Sequence, residues 1–234
     1  MNRVHFLAAV GIFLALIGIG AWQFLPRTAE APPVTNQSQL PYIDTNTTSS
    51  TKPNIQVQPT EPANTSVFHP LPLVKGESVA SWNFKGAYAD NPELTAKARN
   101  EVQRLSGLIG EGTYSDTILY VSIANQYGLL GDGEREYDYL GRAIRSDTET
   151  TGLPWHNLGV LMERLGALKT ARTAYEKSTL IQPGLSFYHY AYLEFLTARM
   201  KDDTATIEGA FSAAENNIGK TSYLLELRAE WEKS

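Results

Sequence analysis

The chain has 234 residues, room for one domain of ordinary size plus appendages. Its formal net charge of −5 gives neither the strongly basic surface of a nucleic-acid binder nor an acidic tail, so no nucleic-acid partner is expected. Without a single Cys it forms no disulfide, thiolate metal site, Cys nucleophile or acylated Cys.

In chain order, the first element is apolar. Val4 to Leu25 carries no charge apart from His5, and 22 residues at the helical rise span roughly 33 Å, enough to cross a bilayer. Arg3 and the amino terminus precede it, while Trp22 and Arg27 mark its far interface. The competing reading is a cleaved signal peptide, with Ala29-Glu30-Ala31 as a small-x-small site. The apolar run is longer than a signal core, and Pro32 would follow the scissile bond, so an uncleaved anchor over 1–25 is favoured. The short positive tail orients the N-terminus to the cytoplasm and the rest to the periplasm or the cell exterior. Gly11 and Ala15 form a small-xxx-small pair that lets two anchors approach, a route to weak self-association.

Nine of the twelve prolines lie between Pro26 and Pro72, among Thr, Asn, Ser and Gln. Such a segment buries too little apolar area to offset its ordering entropy, so 26–78 is expected to be a disordered tether. Its sequons at Asn36, Asn46 and Asn64 follow from composition. Aromatics return at Trp82, Phe84 and Tyr88, which fits an extended segment packed on the first helix or a peptide in the protein's own groove.

The folded domain is expected over 79–234 and is all-helical, since no window sustains the two-residue alternation of a strand. Asn91-Pro92 supplies an N-cap and a first-turn Pro. Leu94, Ala98, Val102, Leu105 and Ile109 follow at helical spacing, and Gly110 ends the pattern.

Over 152–185, Trp155, Leu158, Gly159 and Met162 share one helix face. Gly166 breaks the helix; Ala171, Tyr175 and Ser178 line the next, and Pro183 stops it. Gly159 and Ala171 are small where two antiparallel helices press together, and Leu165-Gly166 supplies the tight turn. This pattern resembles the tetratricopeptide repeat, W-x2-L-G-x2-Y, then A-x3-F, then P. A second copy over 117–150 places Tyr120, Ile123, Ala124 and Tyr127 against Trp155, Leu158, Gly159 and Met162. Gly131 falls opposite Gly166, and Leu140 and Ala143 fall opposite Tyr175 and Ser178. Glu136 stands where Ala171 would, a departure. A degenerate third copy over 186–217 keeps Phe211 and Ala214 but has no turn Gly. Gly219 ends it, and a helix over 221–233, with Tyr223, Leu224, Leu227 and Trp231 on one face, covers the end of the array.

The resemblance implies a short α-solenoid of helical hairpins whose first helices line a concave groove for a peptide or helix of a protein partner. Asn125 and Asn157 match the two Asn positions of the family's carboxylate clamp. Val121 stands where the clamp's first Lys would be, and the third copy lacks the other basic residues. The groove is therefore expected to hold a peptide backbone with Asn125 and Asn157. Val121, Val160, Tyr188, Tyr190 and Tyr192 would add apolar and aromatic area. The alternative is that both amides face solvent or serve an interhelical contact.

Other motifs fail on context. "AENNIGKT", 214–221, fits a relaxed phosphate loop, but no apolar strand leads into it. Asp132, Glu134 and Glu136 mimic calcium-loop spacing, yet Tyr137 and Ala143 stand where that loop needs Gly and Glu. His156 and His189 lack a second ligand at i+4. No catalytic constellation and no cofactor site emerge. The expected function is a membrane-anchored, non-catalytic scaffold or adaptor in an envelope or membrane-associated assembly. The alternatives are a nucleotide-binding or enzyme subunit using Gly219, Lys220 and Thr221, and a repeat protein that assembles with itself.

Overall fold

Eight helices and no strand make up the regular structure of residues 72–147 and 149–234, the part described by a computed structural model of the chain. The anchor expected at 1–25, the tether as far as residue 71 and the three sequons lie outside the described residues. Among the described residues, no helix is long and apolar enough to cross a membrane.

Helix α1, Pro92–Ser106, begins as its sequence dictates: Asn91 Oδ1 accepts from Leu94 N at 3.1 Å and Pro92 occupies the first turn. It stops one turn earlier than the apolar spacing suggests. The Gly107 N–H already closes on Gln103 and Leu105 carbonyls, and Leu108 and Ile109 then pack from a turn.

Three helical hairpins follow. Helices α2, Asp116–Leu130, and α3, Gly133–Ser146, are joined by Gly131-Asp132 alone, so they run antiparallel. Helices α4, Leu153–Arg164, and α5, Leu168–Ile181, repeat the arrangement around Gly166. Gly131 and Gly166 adopt φ of 81° and 79°, the left-handed conformation that ends a helix without a side-chain penalty. Helices α6, Ser186–Arg199, and α7, Thr204–Ile218, form the third pair. There no Gly stands in the turn, and Asp203 caps α7, accepting from Thr206 N at 3.2 Å and pairing with Arg172 of α5 at 3.2 Å. Each helix packs on its sequence neighbour, and α8, Ser222–Trp231, lies on both α6 and α7.

One continuous core runs from Ala124 and Tyr137 through Leu158, Met162 and Tyr175 to Leu193, Phe211 and Leu224. A smaller cluster of Leu105, Leu119 and Ile123 joins α1 to α2, and Tyr139 touches both clusters. Helix α2 is accordingly apolar round much of its circumference, being covered on several sides. On α8, Leu224 and Leu227 enter the core and Trp231 meets Phe211 at 5.7 Å. Tyr223 leaves that face and rests edge-on against Tyr190. Arg228 fastens the helix, with its guanidinium over Phe211 at 4.4 Å and nitrogens 2.9 Å from Glu208 and 3.4 Å from Glu215.

Residues 72–88 form an extended strap across the hairpin ends, which moves the start of the folded part ahead of the expected boundary at 78. Phe84 N donates to Gly131 O, Tyr88 N to Leu129 O, and Gly133 N to Trp82 O, at 3.1, 3.1 and 2.9 Å. The segment thus docks mainly on the α2–α3 turn and meets α1 only at its end, where Thr95 Oγ1 donates to Tyr88 O at 2.9 Å. Upstream, Glu77 accepts from Lys169 N, Thr170 N and Thr170 Oγ1 at 2.6–2.7 Å. Ala167, the residue before α5, has no capping side chain, so Glu77 caps the helix from 92 residues away in sequence. Glu77→Ala should lower stability by about 1–2 kcal/mol, with Glu77→Gln in between, read as a shift in the urea midpoint.

Candidate functional site

Asn125 and Asn157 come from the middles of α2 and α4, the first helices of two successive hairpins. Asn157 Nδ2 donates to Asn125 Oδ1 at 2.9 Å, and both side chains are half-buried. The two amides thus make an interhelical contact with each other. That single bond leaves Asn125 Nδ2 with spare donor capacity and Asn157 Oδ1 with spare acceptor capacity. Val160 follows one turn after Asn157 on α4, half-buried against the core.

Three residues assigned to the groove lie elsewhere. Val121 is 3% exposed, Tyr188 5% and Tyr192 6%, so they are core and offer no surface to a ligand. Val121 shares its face of α2 with Thr117 and Ala124, which are buried too. Tyr192 joins the main cluster, and Tyr188 packs on the His156 ring at 5.5 Å. Tyr190 stays near the surface, but α8 takes it: its hydroxyl meets Thr221 Oγ1 at 2.7 Å and its ring lies 4.8 Å from that of Tyr223.

The residues at signature positions pack as small-against-large pairs. A Cβ added at Gly159 would come within 2.8 Å of the Tyr175 ring, so only Gly allows α4 and α5 this approach. Leu140, Ala143, Leu158, Ala171, Tyr175 and Ser178 are buried, while Tyr120 and Trp155 are half-buried at the periphery. Pro183 O receives His189 Nε2 at 2.8 Å. Burial holds the Tyr175 hydroxyl above its ordinary range, and Glu163 Oε2 accepts from it at 3.1 Å.

Compared with known proteins, the chain matches no family model, no curated protein and no solved structure.

Two buried titratable groups carry more chemistry than their sequence positions suggest. His156 is 6% exposed inside a box of Tyr175, Phe187 and Tyr188 rings, 4.6–5.7 Å between centroids. Its Nδ1 has no hydrogen-bond partner among the described residues, and burial pushes its pKa down to about 4. Glu136 is likewise 6% exposed with Oε2 unpartnered, and burial pushes it up to about 8. No group of three or more His, Asp or Glu among the described residues is arranged to hold a metal ion. Asp132 instead caps α3 through Arg135 N at 3.1 Å.

Residues 214–221 form the end of α7 and the start of α8. Helix, not strand, leads into them. Lys220 Nζ lies 3.8 Å from Glu215, and Thr221 Oγ1 caps α8 by accepting from Leu224 N at 3.2 Å. These side chains are turned to fold contacts, with no ring of backbone amides facing an anion.

Proposed function

We propose that this domain is a short tetratricopeptide-like α-solenoid that holds a protein partner, displayed outside the cytoplasm by the anchor at 1–25. The observation that carries this reading is the repetition of one hairpin. Gly131 and Gly166, 35 residues apart in the chain, share a left-handed turn conformation between helices of similar length. Stacked hairpins of this kind present a row of first helices, and the Asn125–Asn157 pair spans two of them. Its spare donor and spare acceptor suit the C=O and N–H of an extended peptide, with Val160 one turn on as apolar ground. The recognition surface is narrower than the sequence pattern suggests, because Val121, Tyr188 and Tyr192 are core residues.

Affinity capture from detergent-solubilised native membranes tests the proposal, using the full chain beside an Asn125→Ala, Asn157→Ala variant of equal helicity. A specific partner recovered by the parent and lost with the variant supports a groove-binding adaptor. Equal recovery by both baits removes the Asn pair from the binding surface. The competing nucleotide reading makes a separate demand: ATP or GTP binding that Lys220→Ala abolishes. With Lys220 engaged only with Glu215 at the surface, no such binding is expected in an equilibrium titration of the full chain.

A further inference from the structure

The α2–α3 hairpin holds a carboxyl group where the next hairpin holds a methyl. Glu136 lies 35 residues before Ala171, and its side chain fills the space beside Gly128, where an added Cβ would come within 2.8–2.9 Å of the carboxyl atoms. The second hairpin reverses the sizes, with Glu163 and Ala171 at the corresponding positions. A carboxylate enclosed with one oxygen unpartnered bears most of its desolvation penalty, so the hairpin holds the neutral acid. Two charged groups act on it: Arg164 at the end of α4 favours ionisation, and Asp132 at the start of α3 opposes it.

The strap is the adjoining wall. Gly133 sits one turn before Glu136 on the same side of α3. There a Cβ would meet Trp82 O at 2.5 Å and Phe84 Cε1 at 3.1 Å. Arg164, the cation that acts on Glu136, lies over the Phe84 ring at 4.6 Å. Of the strap's charged side chains, Glu77 is engaged on α5 and Lys85 with Asp90, while Lys75 lies exposed in the turn before Glu77.

We propose that residues 78–88 are a latch on the α2–α3 turn, closed while Glu136 is protonated and released when Glu136 ionises. Glu136 gives its proton to solvent hydroxide; the carboxylate left behind regains hydration only when the wall opens, and it draws Arg164 from Phe84. Release breaks the strap's three backbone bonds to Leu129, Gly131 and Gly133 and uncovers the turn and Tyr137. Residue 77 stays on α5, so the chain opens as a loop held at both ends.

Hydrogen exchange on the full chain in detergent micelles, from about pH 6.5 to 9.5, reads the latch directly at the Phe84 and Tyr88 amides. After correction for base-catalysed intrinsic exchange, protection at these two amides should fall about tenfold or more, while α6 and α7 amides keep theirs. In Glu136→Gln the strap protection should stay constant across the range. An equal fall in Glu136→Gln, or a fall in α6 and α7 in step with the strap, overturns the latch. The reciprocal measurement stands independently of that variant: in Phe84→Ala, the Glu136 carboxyl carbon signal should titrate well below about 8, toward 4.5, because the wall is thinned. An unmoved midpoint refutes coupling between strap and carboxyl.

Discussion

Gly131→Ala is expected to destabilise the domain by about 3–5 kcal/mol, whereas Gly166→Ala at the matching turn should cost about 1 kcal/mol. Both residues carry positive φ, so both substitutions incur the left-handed backbone penalty. Only Gly131 lies beneath the strap, where a Cβ would stand 2.1 Å from Phe84 O and 2.7 Å from Gly86 N; at Gly166 nothing lies within 4 Å. The methyl of Gly131→Ala must displace the strap and break its backbone bonds, leaving buried donors unpaired. Gly209 supplies a contrast of opposite sign. It sits in α7 with nothing within 4 Å of its Cβ position, so Gly209→Ala should stabilise by about 0.5–1 kcal/mol. Urea unfolding of the full chain followed by helical circular dichroism measures all three. Similar losses at Gly131 and Gly166 would show that the strap does not bear on the turn.

Stability should form a plateau between about pH 4.5 and 6.5 and decline on both sides, through two opposed buried groups. Glu136 holds its proton more tightly when folded, so its contribution is whole below about 4.5 and is lost as pH rises to about 8. His156 holds its proton less tightly when folded, so its contribution is whole above 6.5 and is lost as pH falls to about 4. Between 4.5 and 6.5 the folded state has one extra proton at Glu136 and one fewer at His156, and the slopes cancel. Because the two groups offset each other across the plateau, the alkaline arm is worth about 2 kcal/mol and the acid arm from these two groups less than about 1 kcal/mol. Hydrogen bonds from Thr150 to Asp147, from Thr206 to Asp203 and from Arg104 to Glu101 hold those carboxyls below their usual range and add to the acid decline. Urea midpoints from pH 4 to 9 should lose the alkaline arm in Glu136→Gln and much of the acid arm in His156→Phe. An alkaline decline that persists undiminished in Glu136→Gln would assign it to other groups.

Those effects rest on contacts between residues far apart in sequence, and the legibility of the chain divides along the same line. Asn91-Pro92, the paired turn glycines and the small Gly159 declare themselves because a cap, a left-handed turn and a close helix approach each demand particular residue types locally. Glu136 was visible as a departure from its partner Ala171. Its meaning needed a second comparison, Gly128 against Glu163, since an acid fits there only when the facing helix gives up its side chain. His156 carried no sequence mark of burial. Its box is assembled by Phe187 and Tyr188 from the next hairpin.

The aromatic groove shows the limit most clearly. Tyr188, Tyr190 and Tyr192 look alike along the chain, but a helix turns each successive residue through about 100°. Two fall in the core, and the third is met by α8. Glu77 had no local pattern at all, because the amides it caps begin 92 residues later.

The sequence by itself determined the helices, their turns and the hairpin period, because backbone propensity, capping and apolar spacing act within a few residues. Tertiary structure alone decided which aromatic faces remained open, where the strap docked and which acid was enclosed. Those outcomes depend on which surfaces meet once the chain is folded, and burial and desolvation are properties of that meeting rather than of any residue in isolation.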